Sequence, residues 1–238
     1  MLFFIIIIIL CCFYIYFSRM HLHIDWKSLF KRGFSKKDNK FGLYTYTGHQ
    51  GDGKTYSAIK FCNTMKVKDD YIVVTNIHSY KAFSDTIYID DIIELINFIK
   101  LNHDKNGKKY IILFDEIFTI LMRGQAVNTE ILSFLAQLRK RGLIFITTAQ
   151  EWSEIPLTFR KFCRFQVSCK MFSVPLLDRA FLLNRINDGY NARWNNDIQD
   201  FEAPLLQTNF SKGNLSIIEI YDTFEVIKTN NKLNSRRS

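Results

Sequence analysis

The sequence predicts an α/β fold, a mainly parallel sheet with helices on both faces, preceded by one apolar N-terminal helix. Three observations predict it. A β-rich segment runs into a glycine-rich loop and then a helical pattern over 41–61; an apolar strand ends in two carboxylates over 110–116; a second apolar strand ends in an amide over 143–150. Buried strands of parallel sheets read as unbroken apolar runs, and alternating strand and helix patterns stack helices on both faces of such a sheet.

The loop carries the most information. Gly48-His49-Gln50-Gly51-Asp52-Gly53-Lys54-Thr55 fits the pattern G-x-x-x-x-G-K-[ST]. Gly48, Gly51 and Gly53 let the backbone curl with its N–H groups aimed at phosphate oxygens, and Asp52 shares that curl. Lys54 reaches the β- and γ-phosphates, and the Thr55 hydroxyl holds Mg²⁺. Tyr56 continues into a helix whose N-terminus adds a positive dipole end. The fold expected is therefore that of a P-loop NTPase. No Asn-Lys-x-Asp guanine-reading motif is present, since Asn39-Lys40 is followed by Phe41-Gly42, so ATP is favoured over GTP.

The remaining elements follow in order. Tyr71–Asn76 and Thr86–Ile89 read as strands, and Asp90 and Asp91 cap a helix from Ile92 to about Leu101. Asp104–Lys109 reads as a polar turn. The strand Tyr110–Phe114 then delivers Asp115 and Glu116. Ligands bind at the carboxyl ends of such strands. Asp115 is expected to orient Mg²⁺, and Glu116 to polarise the attacking water.

Thr129 is expected to cap a helix from Glu130 to Arg141, ended by Gly142. Arg139-Lys140-Arg141 at its last turn has two readings: pairing with the helix's own terminal carbonyls, or an arginine finger (Arg139 or Arg141) offered to a neighbouring subunit. The strand Leu143–Thr148 closes on Gln150, which would stand beside Asp115 if the two strands are neighbours. Leu215–Tyr221 reads as a further strand completing or edging the sheet. Arg179, Arg185 and Arg193, with Tyr190 and Trp194, form either a solvated basic surface or a contact for single-stranded DNA.

Composition bounds the rest. The net charge of +9, from 32 Lys+Arg against 23 Asp+Glu, favours anionic partners, nucleic acid or a membrane surface. Five cysteines show no C-x-x-C pair and no His at metal-ligand spacing, so neither a disulfide nor a zinc site is expected. Leu2–Phe17 is an uninterrupted apolar run. As a helix it spans about 24 Å, against roughly 30 Å of hydrocarbon, a gap that interfacial aromatics and slight thinning absorb. It lacks the basic start and small-residue exit of a cleaved signal. The basic residues Arg19, Lys27, Lys31, Arg32, Lys36, Lys37 and Lys40 follow it, which predicts an outside N-terminus and a cytoplasmic remainder.

The expected organisation is a transmembrane anchor (1–18), a basic juxtamembrane linker (19–40) contacting membrane lipid, a P-loop ATPase core (41–185), a C-terminal extension with room for an edge strand (186–229) and a disordered basic tail (230–238).

With these motifs in order, the chain resembles the Zot-type assembly ATPases of filamentous phages, near the FtsK–HerA class of DNA-pumping P-loop ATPases. The resemblance rests on Gly48–Thr55, Thr75-Asn76-Ile77, Phe114-Asp115-Glu116, the run from Leu138 to Gln150 and, more loosely, Tyr221–Glu225. It implies a homo-oligomeric ATPase at the host inner membrane, handling single-stranded phage DNA and coat protein during virion assembly and extrusion. It also implies Arg139 or Arg141 as finger. Zot-type proteins usually place the membrane helix after the ATPase domain, whereas here the apolar run comes first, so their contact with an outer-membrane secretin is not carried over. The alternatives are a packaging ATPase filling a capsid and a structural membrane protein with an inactive P-loop.

Overall fold

The computed structural model describes residues 2–19, 40–106, 108–117, 127–174, 179–197 and 200–222. The basic linker lies almost entirely outside the described residues, as does the C-terminal tail.

Helix α1 (Leu2–Arg19) is 18 residues long, and its apolar side chains from Phe4 to Tyr14 are exposed. Its last residues, Ser18 and Arg19, are polar, so the apolar part falls short of a full hydrocarbon thickness. Among the described residues no helix is long and apolar enough to cross a membrane.

The sheet is built from β1 (Gly42–Thr47), β2 (Ile72–Thr75), β3 (Ile87–Tyr88), β4 (Tyr110–Phe114), β5 (Ile144–Ala149), β6 (Cys163–Val174), β7 (Arg179–Asp188) and β10 (Leu205–Lys212). Their order is β10-β7-β6-β1-β5-β4-β2-β3. From β6 through β1, β5, β4 and β2 to β3 every pairing is parallel, while β7 and β10 add antiparallel partners beside β6. The expected mainly parallel sheet is present, with the acid-tipped β4 directly beside β5. A separate hairpin pairs β8 (Arg193–Asn195) with β9 (Asp200–Glu202).

Helices cover both faces. The P-loop helix α2 (Lys54–Asp69) packs Ala58, Ile59, Cys62 and Met65 against Tyr44, Tyr46, Val73, Ile111 and Ile146. On the other face α3 (Ile92–Asn106) and α4 (Thr129–Gln137) bring Ile92, Leu95, Ile96, Ile99, Ile131 and Leu135 against Leu43, Val74, Ile112 and Phe145. Each strand residue faces one layer and its neighbour the other, so β4 and β5 are apolar throughout, as a doubly covered sheet requires.

Several local expectations are corrected. Asp91 does cap α3, its carboxylate accepting from Ile93 and Glu94 N–H at 2.7 and 3.0 Å. The helix then runs into the expected turn at 104–109 and ends at Asn106, with the His103 ring nitrogens 2.6 Å from the carbonyls of Lys108 and Arg141, in the segments that lead into β4 and β5. The cap of α4 is Asn128, not Thr129, because the Asn128 side chain accepts from Glu130 N–H at 2.8 Å. The helix stops at Gln137, and Arg139–Arg141 fall in a turn closed by Gly142 at φ +65°. The expected strand at 215–221 is instead the short helix α6 (Leu215–Ile218), which follows the four-residue helix α5 (Leu157–Arg160) in chain order. The cause is Asn214, whose side chain accepts from Ser216 N–H at 3.1 Å and starts the turn.

Candidate nucleotide site

The carboxyl ends of the parallel strands gather the site. β1 leads into the loop 48–53, β2 into Asn76, β4 into Asp115 and Glu116, and β5 into Gln150. Gly53 is the N-cap of α2, at φ +76°, with no side chain capping the helix, so the first-turn N–H groups are left to an anion. A Cβ at Gly53 would stand 2.9 Å from the Leu182 side chain. A Cβ at Gly48 would stand 2.7 Å from the Cys169 carbonyl. Gly48 is therefore required by the close approach of the β6 backbone, and Gly53 by its left-handed conformation, with the Leu182 side chain crowding it from β7. Gly51, at φ +87°, meets nothing within 4 Å and faces open space. The Asp52 carboxylate accepts from His49 N–H at 2.8 Å, and Lys54 Nζ donates to the His49 carbonyl at 3.0 Å. The loop's main chain is tied to β5 where Gly48 N–H donates to the Gln150 carbonyl at 3.1 Å.

Asp115 sits at the centre of the constellation. The Thr55 hydroxyl lies 3.2 and 3.1 Å from its two carboxylate oxygens, and the Thr148 hydroxyl donates to one of them. The Asn76 side chain grips the same residue's main chain, donating to the Asp115 carbonyl at 3.0 Å and accepting its N–H at 2.8 Å. Burial pushes the Asp115 carboxyl above its ordinary value, and the Thr148 and Thr55 hydroxyls and Lys54 oppose that rise. Glu116 adopts φ +52°, a left-handed conformation rare for a residue with a side chain, held by its N–H donating to Thr148 Oγ1 at 2.8 Å. Its carboxyl is also raised, by burial and then by Asp115, with Lys54 opposing.

The donor set suits Mg²⁺, a hard ion usually held by one or two carboxylates, water and substrate phosphate rather than by an all-protein cage. One hydroxyl and one carboxylate converge here. Among the described residues no group of three or more His, Cys, Asp or Glu gathers to hold a metal by itself.

The sequence-derived residues are not all brought together. Thr148, not Gln150, stands beside Asp115, because the register pairs Phe114 with Thr147 and so sets Asp115 against Thr148. Gln150 instead lines a cavity of about 1180 Å³ on the outer shoulder of the loop, with His49, Asp52, Arg185, Arg193 and Trp194. The Tyr56 side chain is buried, its hydroxyl accepting from Asn214 N–H at 2.7 Å, so only its main chain faces the loop. Arg139 and Arg141 precede β5 and lie at the opposite end of the sheet, roughly 20 Å from the site along a strand of this length. The Arg141 guanidinium is held by Gln137 Oε1 at 3.2 and 2.9 Å. Sequence reasoning gave no role to Thr148 or to the side chain of Asn76. Nor did it bring Tyr221 to this site, where burial and then the Asp115 charge push its hydroxyl up to about 12.

The model of the family described as zonular occludens toxin (Zot) matches residues 42–180, from the start of β1 to the start of β7. The chain belongs to the Zot family. The matched stretch of this Zot-family chain contains the whole constellation, from Gly48 through Asp115 to Thr148. Among solved structures, it is similar to the N-terminal domain of zonular occludens toxin from Neisseria meningitidis, at 13% identity over 76% of this chain and 98% of that one, with a TM-score of 0.48. It is also similar to the genome packaging NTPase B204 of Sulfolobus turreted icosahedral virus 2 in complex with ATP-gammaS, at 17% identity over 71% of this chain and 100% of that one, with a TM-score of 0.50. That second likeness places the Zot-family chain in the P-loop NTPase fold. No curated protein matches the sequence.

Proposed function

We propose that this chain is a membrane-anchored, cytoplasm-facing ATPase that drives phage assembly and the extrusion of DNA across the host inner membrane as a homo-oligomer. The observation that carries the hydrolytic part is the cluster of Thr55, Asp115 and Thr148, with Glu116 held beside it in a strained backbone conformation. The likeness to B204, a genome packaging NTPase solved in complex with ATP-gammaS, supports a nucleotide of this kind in the loop. Mg²⁺, when bound, neutralises charge between the β- and γ-phosphates. Thr55 and Asp115 would hold it, Lys54 would leave the His49 carbonyl for a phosphate oxygen, and Glu116 would take the proton of the water whose oxygen bonds to the γ-phosphorus as the bridging P–O bond breaks and ADP leaves. A raised carboxyl suits that last role, since a base works best when its pKa approaches the working pH.

The experiment is ATP turnover by purified protein. Lys54→Ala is expected to lose nucleotide binding, and Glu116→Gln to keep binding while turnover falls by 100-fold or more, an estimate from general-base catalysis of about 10²–10⁴. Equal turnover by Glu116→Gln and the unsubstituted protein removes Glu116 from the mechanism. Unchanged particle production by both variants favours a structural protein. Anchoring by α1 rests on its exposed apolar side chains from Phe4 to Tyr14 and on the basic residues after it. Vesicle flotation that survives deletion of residues 1–18 overturns it. Depletion that yields empty capsids, rather than a block in extrusion, favours packaging.

A further inference from the structure

Strands β6 and β7 run past the end of β1, whose last register partner on β6 is Ser168, and β10 follows beside them. Their two faces differ in chemistry. The back face holds the P-loop helix: Leu182 and Met171 close over Gly53, Asn184 exchanges hydrogen bonds with Ser57 at 3.1 and 3.3 Å, and Lys60 Nζ donates to Ser211 at 3.0 Å. Because strand side chains alternate, the intervening residues point the other way. These are Lys170 and Phe172 on β6, Phe181, Leu183 and Arg185 on β7, and Phe210 and Lys212 on β10.

The register confirms one shared face, since Phe172 opposes Phe181, Lys170 opposes Leu183, and Phe210 and Lys212 oppose Leu183 and Phe181. Three phenyl rings cluster on it. Phe172, Phe181 and Phe210 have centroids 5.4–6.0 Å apart and planes within 8–29° of one another. Phe172 and Phe210 are 41% and 43% exposed. Lys170, Arg185 and Lys212 surround them and are all exposed. The described residues of these strands contain one carboxylate, Asp188, at the far end of β7 and committed to Tyr190 N–H and Asn191 Nδ2.

We propose that this open face of β6, β7 and β10 is the docking surface for a single-stranded polynucleotide, with the three rings stacking unpaired bases and Lys170, Arg185 and Lys212 meeting phosphates. The proposal rests on the reading of the chain as a nucleic-acid motor and adds the place where the strand is held. Parallel, half-exposed rings offer a planar base a further place in the stack, while the surrounding cations match a polyanion. A second copy presenting the same face would oppose like charges.

The test uses the full chain in detergent and a labelled oligothymidylate, read by fluorescence anisotropy across a salt series. Phe172→Leu with Phe210→Leu keeps apolar cover but removes planarity, and is expected to weaken binding by at least about tenfold. Lys170→Gln with Lys212→Gln is expected to lower the slope of log affinity against log salt by about 1.4. A thermal scan of each variant checks folding, and the lysine variants, which alter exposed positions, keep the question answerable if the leucine variants unfold. Oligothymidylate binding unchanged in both sets overturns the proposal. In that case an altered oligomer size assigns the face to a second copy, and lost flotation with anionic vesicles assigns it to lipid. ATP turnover by the unsubstituted protein is scored separately. Its absence with binding intact sinks the motor and leaves the docking face standing.

Discussion

Replacing Thr148 with valine tests the centre of the site, because this buried hydroxyl joins both acids. Its oxygen accepts the Glu116 N–H at 2.8 Å and its proton goes to Asp115. Valine matches its shape and removes both bonds. A hydrogen bond to a charged group contributes about 1.5–3 kcal/mol, and leaving a buried N–H unpaired costs about 1–3 kcal/mol. The two losses share one atom and do not simply add, so a destabilisation of about 3 kcal/mol is expected at neutral pH.

The pH dependence is the sharper readout. Burial raises the Asp115 carboxyl, and the Thr148 hydroxyl pulls it back down. Removing the hydroxyl raises the folded-state value further while the unfolded chain keeps its ordinary one. That share of the loss is complete where the carboxylate is ionised in both states, shrinks as the pH falls through the folded-state value and disappears once Asp115 is protonated. Urea midpoints for Thr148→Val should therefore converge on those of the unsubstituted protein as the pH falls towards about 4, leaving only the share due to the Glu116 N–H. Thr148→Ser, which keeps the hydroxyl, should recover most of the difference. A loss that is the same at both pH values, or a serine variant no better than valine, refutes the assignment of Thr148 to Asp115.

Two further outcomes follow from the geometry. Gly53→Ala forces a side chain into φ +76° and against Leu182 at 2.9 Å; it should cost at least about 2 kcal/mol in a denaturant melt and abolish nucleotide binding, and wild-type behaviour in both refutes the packing argument. Arg139 and Arg141 lie at the far end of β5 from their own loop, so either acts as a finger only in a neighbouring subunit's site. Mixing Lys54→Ala subunits with Arg139→Ala/Arg141→Ala subunits, each expected to be inactive alone, should restore part of the turnover; an arginine variant that hydrolyses ATP on its own removes both arginines from catalysis, and mixtures as inactive as their components remove the finger in trans.

How much of this was legible depended on whether a residue's identity or its register carried the information. The loop was legible because positive φ and close packing exclude side chains at Gly53 and Gly48, so the glycines themselves mark the conformation. Asp115 and Glu116 were legible because two carboxylates at the end of a run such as Tyr110–Phe114 have few structural reasons to be there. Thr148 was not, because threonine is an ordinary β-branched strand residue. Only the pairing of Phe114 with Thr147 brings it to Asp115, and Gln150, the more conspicuous polar residue, lies past the reach of that register. Asn76 was hidden for the same reason, since its side chain serves the main chain of a strand that the sequence separates from it by 39 residues.

The strand misread at 215–221 shows the opposite case, in which local chemistry outweighs propensity. Ile217, Ile220 and Tyr221 lie at helical spacing and all pack on the α2 side of the sheet, and Asn214 supplies the start signal. The extension β6, β7 and β10 escaped a sequence reading because two chemistries alternate along it. Taken one residue at a time, Lys170-Met171-Phe172 and Phe181-Leu182-Leu183 look like unsorted core and surface. Sorted by register they separate into a face that packs on the nucleotide loop and a face of rings and cations turned away from it. The same few residues thus join the site to a second surface, and the alternation of a strand is what allows one segment to serve both.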